Sequence, residues 1–246
     1  MPQIFGPEAN TVARVSIVAA AIIPLVLAYV LSTITRSPAN TKVGVPLNQP
    51  VPFSHQHHSK ELGIDCRYCH AGSEISGFMG MPSTETCMSC HSQIWTNSPL
   101  LEPIRESYEQ NIPLQWNQVN WVPEFVYFNH AIHIDRGINC NVCHGPVQKM
   151  HIMAKGNPFS MAWCLDCHRE PEKYLYPTGP NESPRDQVYN LYWKIQAGER
   201  LTARERALAD GRNYTPTPEE MAEGQRLVKE RGINVQQLSD CWICHR

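Results

Sequence analysis

The residues with the clearest chemistry are ten cysteines, all of which fall in five copies of the pattern Cys-x-x-Cys-His. This pattern is the attachment signature of c-type haem, in which both thiols bond covalently to one porphyrin. The adjacent histidine then lies beneath the ring, where it can ligate the iron. The sequence therefore predicts five covalently bound haem c groups. The predicted attachment residues are Cys66, Cys69, Cys87, Cys90, Cys140, Cys143, Cys164, Cys167, Cys241 and Cys244, and the predicted proximal ligands are His70, His91, His144, His168 and His245.

Zinc sites and redox dithiols also use Cys-x-x-Cys pairs, but two features oppose them here. Structural zinc sites combine such pairs two at a time, whereas this chain has five pairs. Neither kind of site needs a histidine after every second cysteine. The five motifs use every cysteine of the chain, so none remains for a disulfide or a catalytic thiol.

An internal repeat supplies candidates for the second, distal ligand of each iron. A Phe-x-His-x-x-His segment begins at Phe53 before the first motif and recurs at Phe128 before the third, with one residue more in the first spacer. Two histidines three residues apart lie on one face of a helical turn and can point to irons on either side. We expect a duplicated dihaem unit, residues 53–91 and 128–168. Its predicted distal ligands are His55, His58, His130 and His133.

The same repeat resembles that of the small tetrahaem cytochromes. In those proteins the first histidine ligates the haem just downstream, and the second reaches another haem. The resemblance implies that His55 serves the haem at Cys66 and that His130 serves the haem at Cys140. The sequence does not determine which irons His58 and His133 ligate. His57 has no counterpart in the second repeat, and we expect a solvated side chain there.

The distal ligand of the fifth haem is also open. The stretch between the third and fourth motifs contains His151, Met150, Met153 and Met161. His151 is the plain chemical choice, while a thioether ligand would raise the potential of that haem. The alternative reading of each methionine is ordinary packing.

An apolar run near the N-terminus predicts a membrane anchor. Val15 to Ile34 are 20 residues without a charge, bracketed by Arg14 and Arg36, and this length matches the hydrocarbon core of a bilayer. The run is longer than the apolar region of a typical signal peptide, and no Ala-x-Ala cleavage site follows it. We therefore expect an uncleaved transmembrane helix over residues 11–36 after a short cytoplasmic segment, 1–10.

The remaining chain is expected to be a loop-rich haem protein. Residues 37–52 are a Pro- and Asn-rich linker, 53–168 a tetrahaem body, and 169–246 a helical C-terminal arm that carries the fifth haem. Twenty prolines and five haem sites in 246 residues predict short α-helices around a haem stack, with little or no β-sheet. The net charge of −2 gives no reason to expect binding to nucleic acid. Bacteria complete covalent haem attachment on the outer face of the inner membrane, so the haem domain is expected in the periplasm.

The C-terminal arm contains three helix signals. Arg185 to Ala197 is amphipathic and ends at Gly198. Capping boxes that begin at Thr202 and Thr217 predict two more helices, which stop near Gly211 and Gly232.

The chain as a whole resembles the membrane-anchored pentahaem cytochrome c subunit of alternative complex III. The segments that carry this resemblance are 112–116 (IPLQW), 123–130 (PEFVYFNH), 143–147 (CHGPV) and 161–169 (MAWCLDCHR). It implies a haem wire inside a complex that oxidises a quinol and passes electrons to a periplasmic carrier or an oxidase. The implied partners are an iron–sulfur protein, quinol-binding membrane subunits and a monohaem cytochrome c, in the lipid bilayer. The family's motif has methionines at Met150 and Met161, which favours Met150 as the fifth distal ligand.

Two other functions are compatible with haem attachment. A stand-alone quinol dehydrogenase of the nitrate- and nitrite-respiration type places its first haem soon after the anchor, whereas Cys66 lies far beyond Ile34. A catalytic multihaem reductase needs an iron with an open position. All five motifs end in histidine, and the spare His and Met residues suffice to close every iron. We therefore expect an electron-transfer subunit without a catalytic residue of its own.

Overall fold

The computed structural model describes residues 5–175, 177–178, 181–210 and 214–245. Helices and loops make up this part of the chain, and its β-structure is limited to isolated bridge residues, as in the antiparallel bridge between Pro46 and Ala154. The chain forms two compact units, Met1–Val43 and Gly44–Arg246. The expectation of short helices with little or no sheet is confirmed.

The first unit consists of a long apolar helix and one short turn. Helix α1 spans Ala9–Arg36, and helix α2 spans Pro38–Thr41. The 28 residues of α1 extend about 42 Å at helical rise, which is enough to cross a bilayer. Its most apolar 18-residue window has a mean hydropathy of 2.5, and none of that window is buried within the protein. The helix predicted for residues 11–36 is therefore present, and it continues through Pro24. Helix α2 falls within the stretch expected to be a linker.

The second unit is built from short helices, several of which carry the cysteine motifs. In chain order they are a π-helix at Gln56–Glu61, α3 (Cys66–Cys69), α4 (Thr84–His91), a 3-10 turn at Pro99–Leu101, α5 (Glu102–Gln110), α6 (His130–Asp135), α7 (Cys140–His144), a 3-10 turn at Val147–Lys149, α8 (Met161–Arg169), a 3-10 turn at Pro171–Lys173, α9 (Pro184–Gln196), α10 (Ala203–Ala209), α11 (Pro218–Glu230), α12 (Val235–Leu238) and α13 (Cys241–Cys244).

The helix starts of the C-terminal arm follow their capping residues. The Thr217 hydroxyl accepts from the Glu220 amide, and the Glu220 carboxylate accepts from the Thr217 amide. Thr202 and Glu205 exchange the same two bonds at the start of α10. These reciprocal bonds satisfy amide groups that have no partner inside a helix. Both helices are confirmed, although the predicted stop at Gly211 lies outside the described residues.

Helix α9 brings the C-terminal arm onto the haem motifs. Val188 and Tyr189 of α9 pack with Ile134 of α6 in a small buried cluster, against which Cys66 and Cys140 also lie. On the next turn of α9, Leu191 packs with Ala209 of α10, and Val142 of the third motif touches this second cluster. The arm therefore supports the first and third motifs directly.

The extra residue in the first repeat forms a local π-helix. In the second repeat, His130–Asp135 is an α-helix. In the first repeat, Gln56–Glu61 is a π-helix, whose hydrogen bonds join residues five apart, as from Leu62 N–H to His57 O at 3.0 Å. A single-turn π-helix absorbs one inserted residue without ending the helix. The two histidines of each repeat thus keep equivalent positions despite the unequal spacers.

Candidate haem-binding sites

Each cysteine motif lies on a single helical turn. The two cysteines are three residues apart, so their thiols project from the same face of the turn. Before the first and third motifs, the side chains of Asp65 and Asn139 cap the helix by accepting from the amides of Arg67 and Asn141 at 2.8 and 2.9 Å. All ten thiols are free of disulfides. This arrangement leaves each pair available to bond one flat group.

The two repeats present their histidines through the same aromatic contacts. The ring of Phe53 stacks on His58 at 4.4 Å and 23° and meets His55 edge-on at 4.9 Å. In the second repeat, Phe128 stacks on His133 at 4.6 Å and 24° and meets His130 edge-on at 4.7 Å. Each phenyl ring therefore fixes the orientation of two imidazoles at once.

The repeat histidines face the motif histidines in pairs. The ring centres are 6.2 Å apart for His58 and His91, 6.3 Å for His130 and His144, and 6.2 Å for His133 and His168. A metal–imidazole bond is about 2 Å long and the ring centre lies about 1 Å farther, so two imidazoles on one iron have centres about 6 Å apart. The three separations match that value.

His55 lies in the environment of the first motif. Burial lowers the pKa of His55 to about 4, and the neighbouring His70 is the next contributor to this shift. Burial also lowers the pKa of His144 to about 4. Both side chains therefore stay neutral near pH 7, which is the protonation state that binds iron. Among the described residues, neither Nδ1 atom has a hydrogen-bond partner.

Backbone carbonyl groups fix the orientation of the other predicted ligand histidines. A carbonyl that accepts from Nδ1–H holds the tautomer in which Nε2 is free to bind a metal. The Nδ1–carbonyl pairs are His58 with Ser54, His70 with Gly80, His91 with Ile94, His130 with Gly77, His133 with Asn129, His168 with Leu238 and His245 with Phe125, at 2.7–3.3 Å. The chain thereby presents these imidazoles for ligation.

The cysteines themselves do not form a metal cage. Burial raises the pKa of Cys66 to about 11 and the pKa of Cys140 and Cys167 to about 12, so burial favours the protonated thiols. Within the described ranges, no group of three or more His, Cys, Asp or Glu side chains is placed to hold a metal ion. Two facing imidazoles provide axial ligands only, and a macrocycle must provide the others. The donor set fits haem c.

The fifth motif differs from the second, third and fourth. The ring of Phe125 stacks on His245 at 5.7 Å, and in the described part of the chain no second imidazole is in ring contact with His245. The terminal methyl carbon of Met150 lies 3.7 Å from the position that a Cβ on Gly145 would take, beside the third motif. Met161 is 61% exposed at the start of α8, and His151 contributes to the lowered pKa of Glu61. The fifth distal ligand stays a sequence-based prediction.

His57 lies outside the paired arrangement. Its Nδ1 is 2.9 Å from a carboxylate oxygen of Glu61, and both side chains are largely exposed. This environment agrees with the expected solvated side chain.

Sequence reasoning missed the carbonyl groups that hold the imidazoles. Gly77 and Gly80 could have been suspected, because a glycine-rich stretch between two motifs often allows close backbone approach. Leu238 carries no such signal, since its carbonyl reaches His168 only through the fold of the arm.

Comparison with known proteins supports this interpretation over part of the chain. Residues 31–98, which contain the first repeat and the first two motifs, match the Class III cytochrome C family. A 97-residue stretch, 39% of the chain, is 35% identical to the multiheme cytochrome c subunit of menaquinone reductase from Nitratidesulfovibrio vulgaris. The matched stretch covers 45% of that relative's length. Together with the helix-rich fold, these matches confirm the expected class of multihaem cytochrome c.

Proposed function

We propose that this protein is a membrane-anchored electron-transfer subunit with five covalently attached c-type haems. Three facing imidazole pairs and the proximity of His55 to His70 carry the proposal, because each combines one histidine of a repeat with one histidine of a motif. When bound, each haem supplies an iron that alternates between the ferric and ferrous states and so holds one electron. The ten cysteines fix the five groups covalently, so none is lost on reduction.

The proposed ligand sets follow the pairs. His55 with His70 serves the first motif and His58 with His91 the second. His130 with His144 serves the third motif and His133 with His168 the fourth. Two imidazoles close both axial positions of an iron, so these four sites have no place for a substrate. His245 is the proposed proximal ligand of the fifth iron, and Met150, Met161 and His151 are the candidates for its distal ligand.

The surroundings suit electron transfer rather than bond chemistry. Imidazoles held by backbone carbonyls keep their orientation between redox states, so little reorganisation accompanies each transfer. Burial of His55 and His144 keeps water away from the inner sites. We place the haem domain in the periplasm, with helix α1 as a single-pass anchor in the bacterial inner membrane.

We further propose that the chain works inside a quinol-oxidising complex of the alternative complex III type. Its partners there would be an iron–sulfur protein, quinol-binding membrane subunits and a monohaem cytochrome c. A second candidate is electron flow toward quinone, because the matched relative is a subunit of a menaquinone reductase. Reduction of the purified complex by a menaquinol analogue, compared with reduction by a ferrous periplasmic cytochrome, distinguishes the two directions.

The pairing of His130 with His144 gives a direct test of ligation. His130→Ala should open one of five haems, which would become high-spin and bind carbon monoxide while four stay low-spin. His57→Ala is the matched control and should leave all five haems low-spin. Mass spectrometry and the pyridine haemochrome should show five haems per chain in both variants. A spectrum of His130→Ala that is unchanged from wild type would contradict the assignment.

A further inference from the structure

The five motifs contact one another in an order that differs from their order along the chain. The first link joins the second motif to the first. The hydroxyl groups of Tyr68 and Ser89, each a middle residue of its motif, are hydrogen-bonded at 2.8 Å. His55 and His58 lie one helical turn apart and serve these same two motifs. The first and second motifs are therefore direct neighbours.

A second link joins the first motif to the third. One short segment holds a histidine for each, since the Gly80 carbonyl accepts from His70 and the Gly77 carbonyl accepts from His130. Cys66 and Cys140 also pack against one cluster of buried side chains. The duplicated units thus meet through their leading motifs.

A third link joins the third motif to the fourth. The ring of Phe159 meets His144 at 5.8 Å and Trp163 at 5.3 Å, and Trp163 immediately precedes the fourth motif. The amide of Asn157 donates to the carbonyls of Val142 and Cys143 at 3.1 and 2.8 Å, which holds this connecting loop on the third motif.

The last link joins the fourth motif to the fifth. His168 Nδ1 lies 2.9 Å from the Leu238 carbonyl, three residues before Cys241. Helices α8 and α12, which contain these two residues, pack together. In the residues that the structure describes, no side-chain hydrogen bond or ring contact joins the second motif to the third, fourth or fifth.

The exposure of the cysteines sets the second and fifth motifs apart from the other three. Cys90 of the second motif and Cys241 of the fifth are exposed, whereas the cysteines of the three other motifs are partly buried. If the motifs lie in a row, a motif at either end has a neighbour on one side only, whereas an inner motif is covered by neighbours on both sides.

We infer that the five motifs form one unbranched row in the order second, first, third, fourth, fifth, so that electrons enter and leave the protein at the second and fifth motifs. This inference rests on the proposed function, because it assumes a haem at every motif. Each passage moves one electron from a reduced iron to an oxidised neighbour, with no bond made or broken. A reduced one-electron redox protein at one end supplies the electron, and an oxidised carrier at the other end removes it.

The order predicts how many neighbours each haem has. A methionine in place of one distal histidine raises the potential of that haem, so it can be reduced while the other haems with two histidine ligands stay ferric. A reduced low-spin iron has no spin, and the EPR signals of its ferric neighbours should then sharpen. We expect one signal to sharpen in His58→Met, and two signals in His55→Met and His130→Met. In His133→Met, the signal of the third-motif haem should sharpen. His57→Met, the matched control, should show the same haem potentials as the wild type.

The pattern of shared neighbours provides the decisive outcome. The EPR signal that sharpens in His58→Met should belong to the haem whose potential is raised in His55→Met. Two sharpened signals in His58→Met, or a response there of the haem whose potential is raised in His130→Met or His133→Met, would overturn the order. Fewer than five haems in the wild-type protein would instead overturn the proposed function.

Removal of the end motifs gives a second test that does not depend on the methionine ligands. Cys87→Ala with Cys90→Ala, and separately Cys241→Ala with Cys244→Ala, should each give a chain with four haems. Each double variant should alter one remaining EPR signal, and the two altered signals should differ. If both variants altered the same signal, or either altered two, the row would be wrong.

Discussion

At the scale of single residues, the phenyl rings of Phe53 and Phe128 connect the sequence repeat to iron ligation. Each ring stacks on the second histidine of its repeat and touches the first edge-on, with nearly equal distances and angles in the two copies. A flat ring in this place restricts the imidazole to one plane without competing for its nitrogen atoms. The phenylalanine of the repeat therefore has a positioning role that its sequence pattern alone does not reveal.

Substitution of this ring should affect the orientation of one ligand more than haem attachment. Phe128→Leu removes the stacking partner of His133, and such an aromatic contact contributes about 1 kcal/mol. We expect five haems per chain, a shift in the g values of the ferric haem served by His133, and an unfolding free energy lowered by about that amount.

The exposed Phe78, for which the structure shows no ring contact, provides the matched control for this prediction. Phe78→Leu should leave both the EPR spectrum and the unfolding free energy unchanged. Equal effects of the two substitutions would show that the stacking on His133 has no special role.

At the scale of helices, the π-turn at Gln56–Glu61 shows how an inserted residue can be used. The Ser59 carbonyl within this turn accepts from the Tyr192 hydroxyl at 2.5 Å and from the Gln196 amide at 2.8 Å, both on α9. A π-turn frees carbonyl groups for such outside partners. The longer spacer of the first repeat thus joins the haem body to the C-terminal arm.

Deletion of the exposed Lys60 should convert this turn to the α-helical form of the second repeat. We expect the two bonds to Ser59 to be lost, which would lower the unfolding free energy by about 1–3 kcal/mol. The imidazole pairs of the first and second motifs should persist, because the second repeat achieves the same geometry without the extra residue. Denaturant titration measures the stability, and EPR reports the ligands.

Tyr192→Phe is the matched control for the deletion, since it removes one of the two donors and no backbone atom. It should lower the unfolding free energy by about 0.5–1.5 kcal/mol. A deletion variant that lost low-spin haem would show that the inserted residue is needed for ligation rather than for docking of the arm.

Helix α11 is held against the turn Pro171–Lys173 by a close backbone approach. A Cβ on Gly224 would lie 2.2 Å from the Glu172 carbonyl oxygen, so Gly224→Ala forces the helix away from this turn. We expect a loss of about 1–3 kcal/mol, as for other overpacked sites, and faster proteolysis within the arm. Gln225→Ala changes the exposed next residue and should leave both measurements unchanged. Resistance of Gly224→Ala to protease would contradict this packing.

The sequence predicts the helices of the arm better than the contacts between motifs, and the reason is physical. Capping boxes at Thr202 and Thr217 and glycine ends act within a few residues, so their pattern is local. The link from His168 to the Leu238 carbonyl spans 70 residues and depends on how α8 and α12 meet. The sequence repeat identifies His58 and His133 as ligand candidates, but the motif histidines that they face are determined only by the folded structure.

At the scale of the whole molecule, the haem domain has little protein core. Its buried clusters hold only a few side chains each, and Leu175 and Leu227 are the largest side chains that are fully buried among the described residues. Many large apolar groups are exposed in the protein part alone, including Trp95 and Phe125. Covalent porphyrins would cover such surfaces and take the place of apolar packing, as expected from the density of motifs.

The division into two compact units leads to a prediction about the anchor. Residues 1–43 form a unit of their own, and the haem motifs all lie in Gly44–Arg246. A chain that begins at Gly44, exported with a cleavable signal, should therefore be soluble in plain buffer with five haems per chain. Its EPR spectrum should equal that of the full-length protein, which should require detergent. Ultracentrifugation and the pyridine haemochrome measure both properties. Recovery of the shortened chain in the membrane fraction would show that α1 is not the only membrane-binding element, and a changed spectrum would show that the first unit supports a haem site.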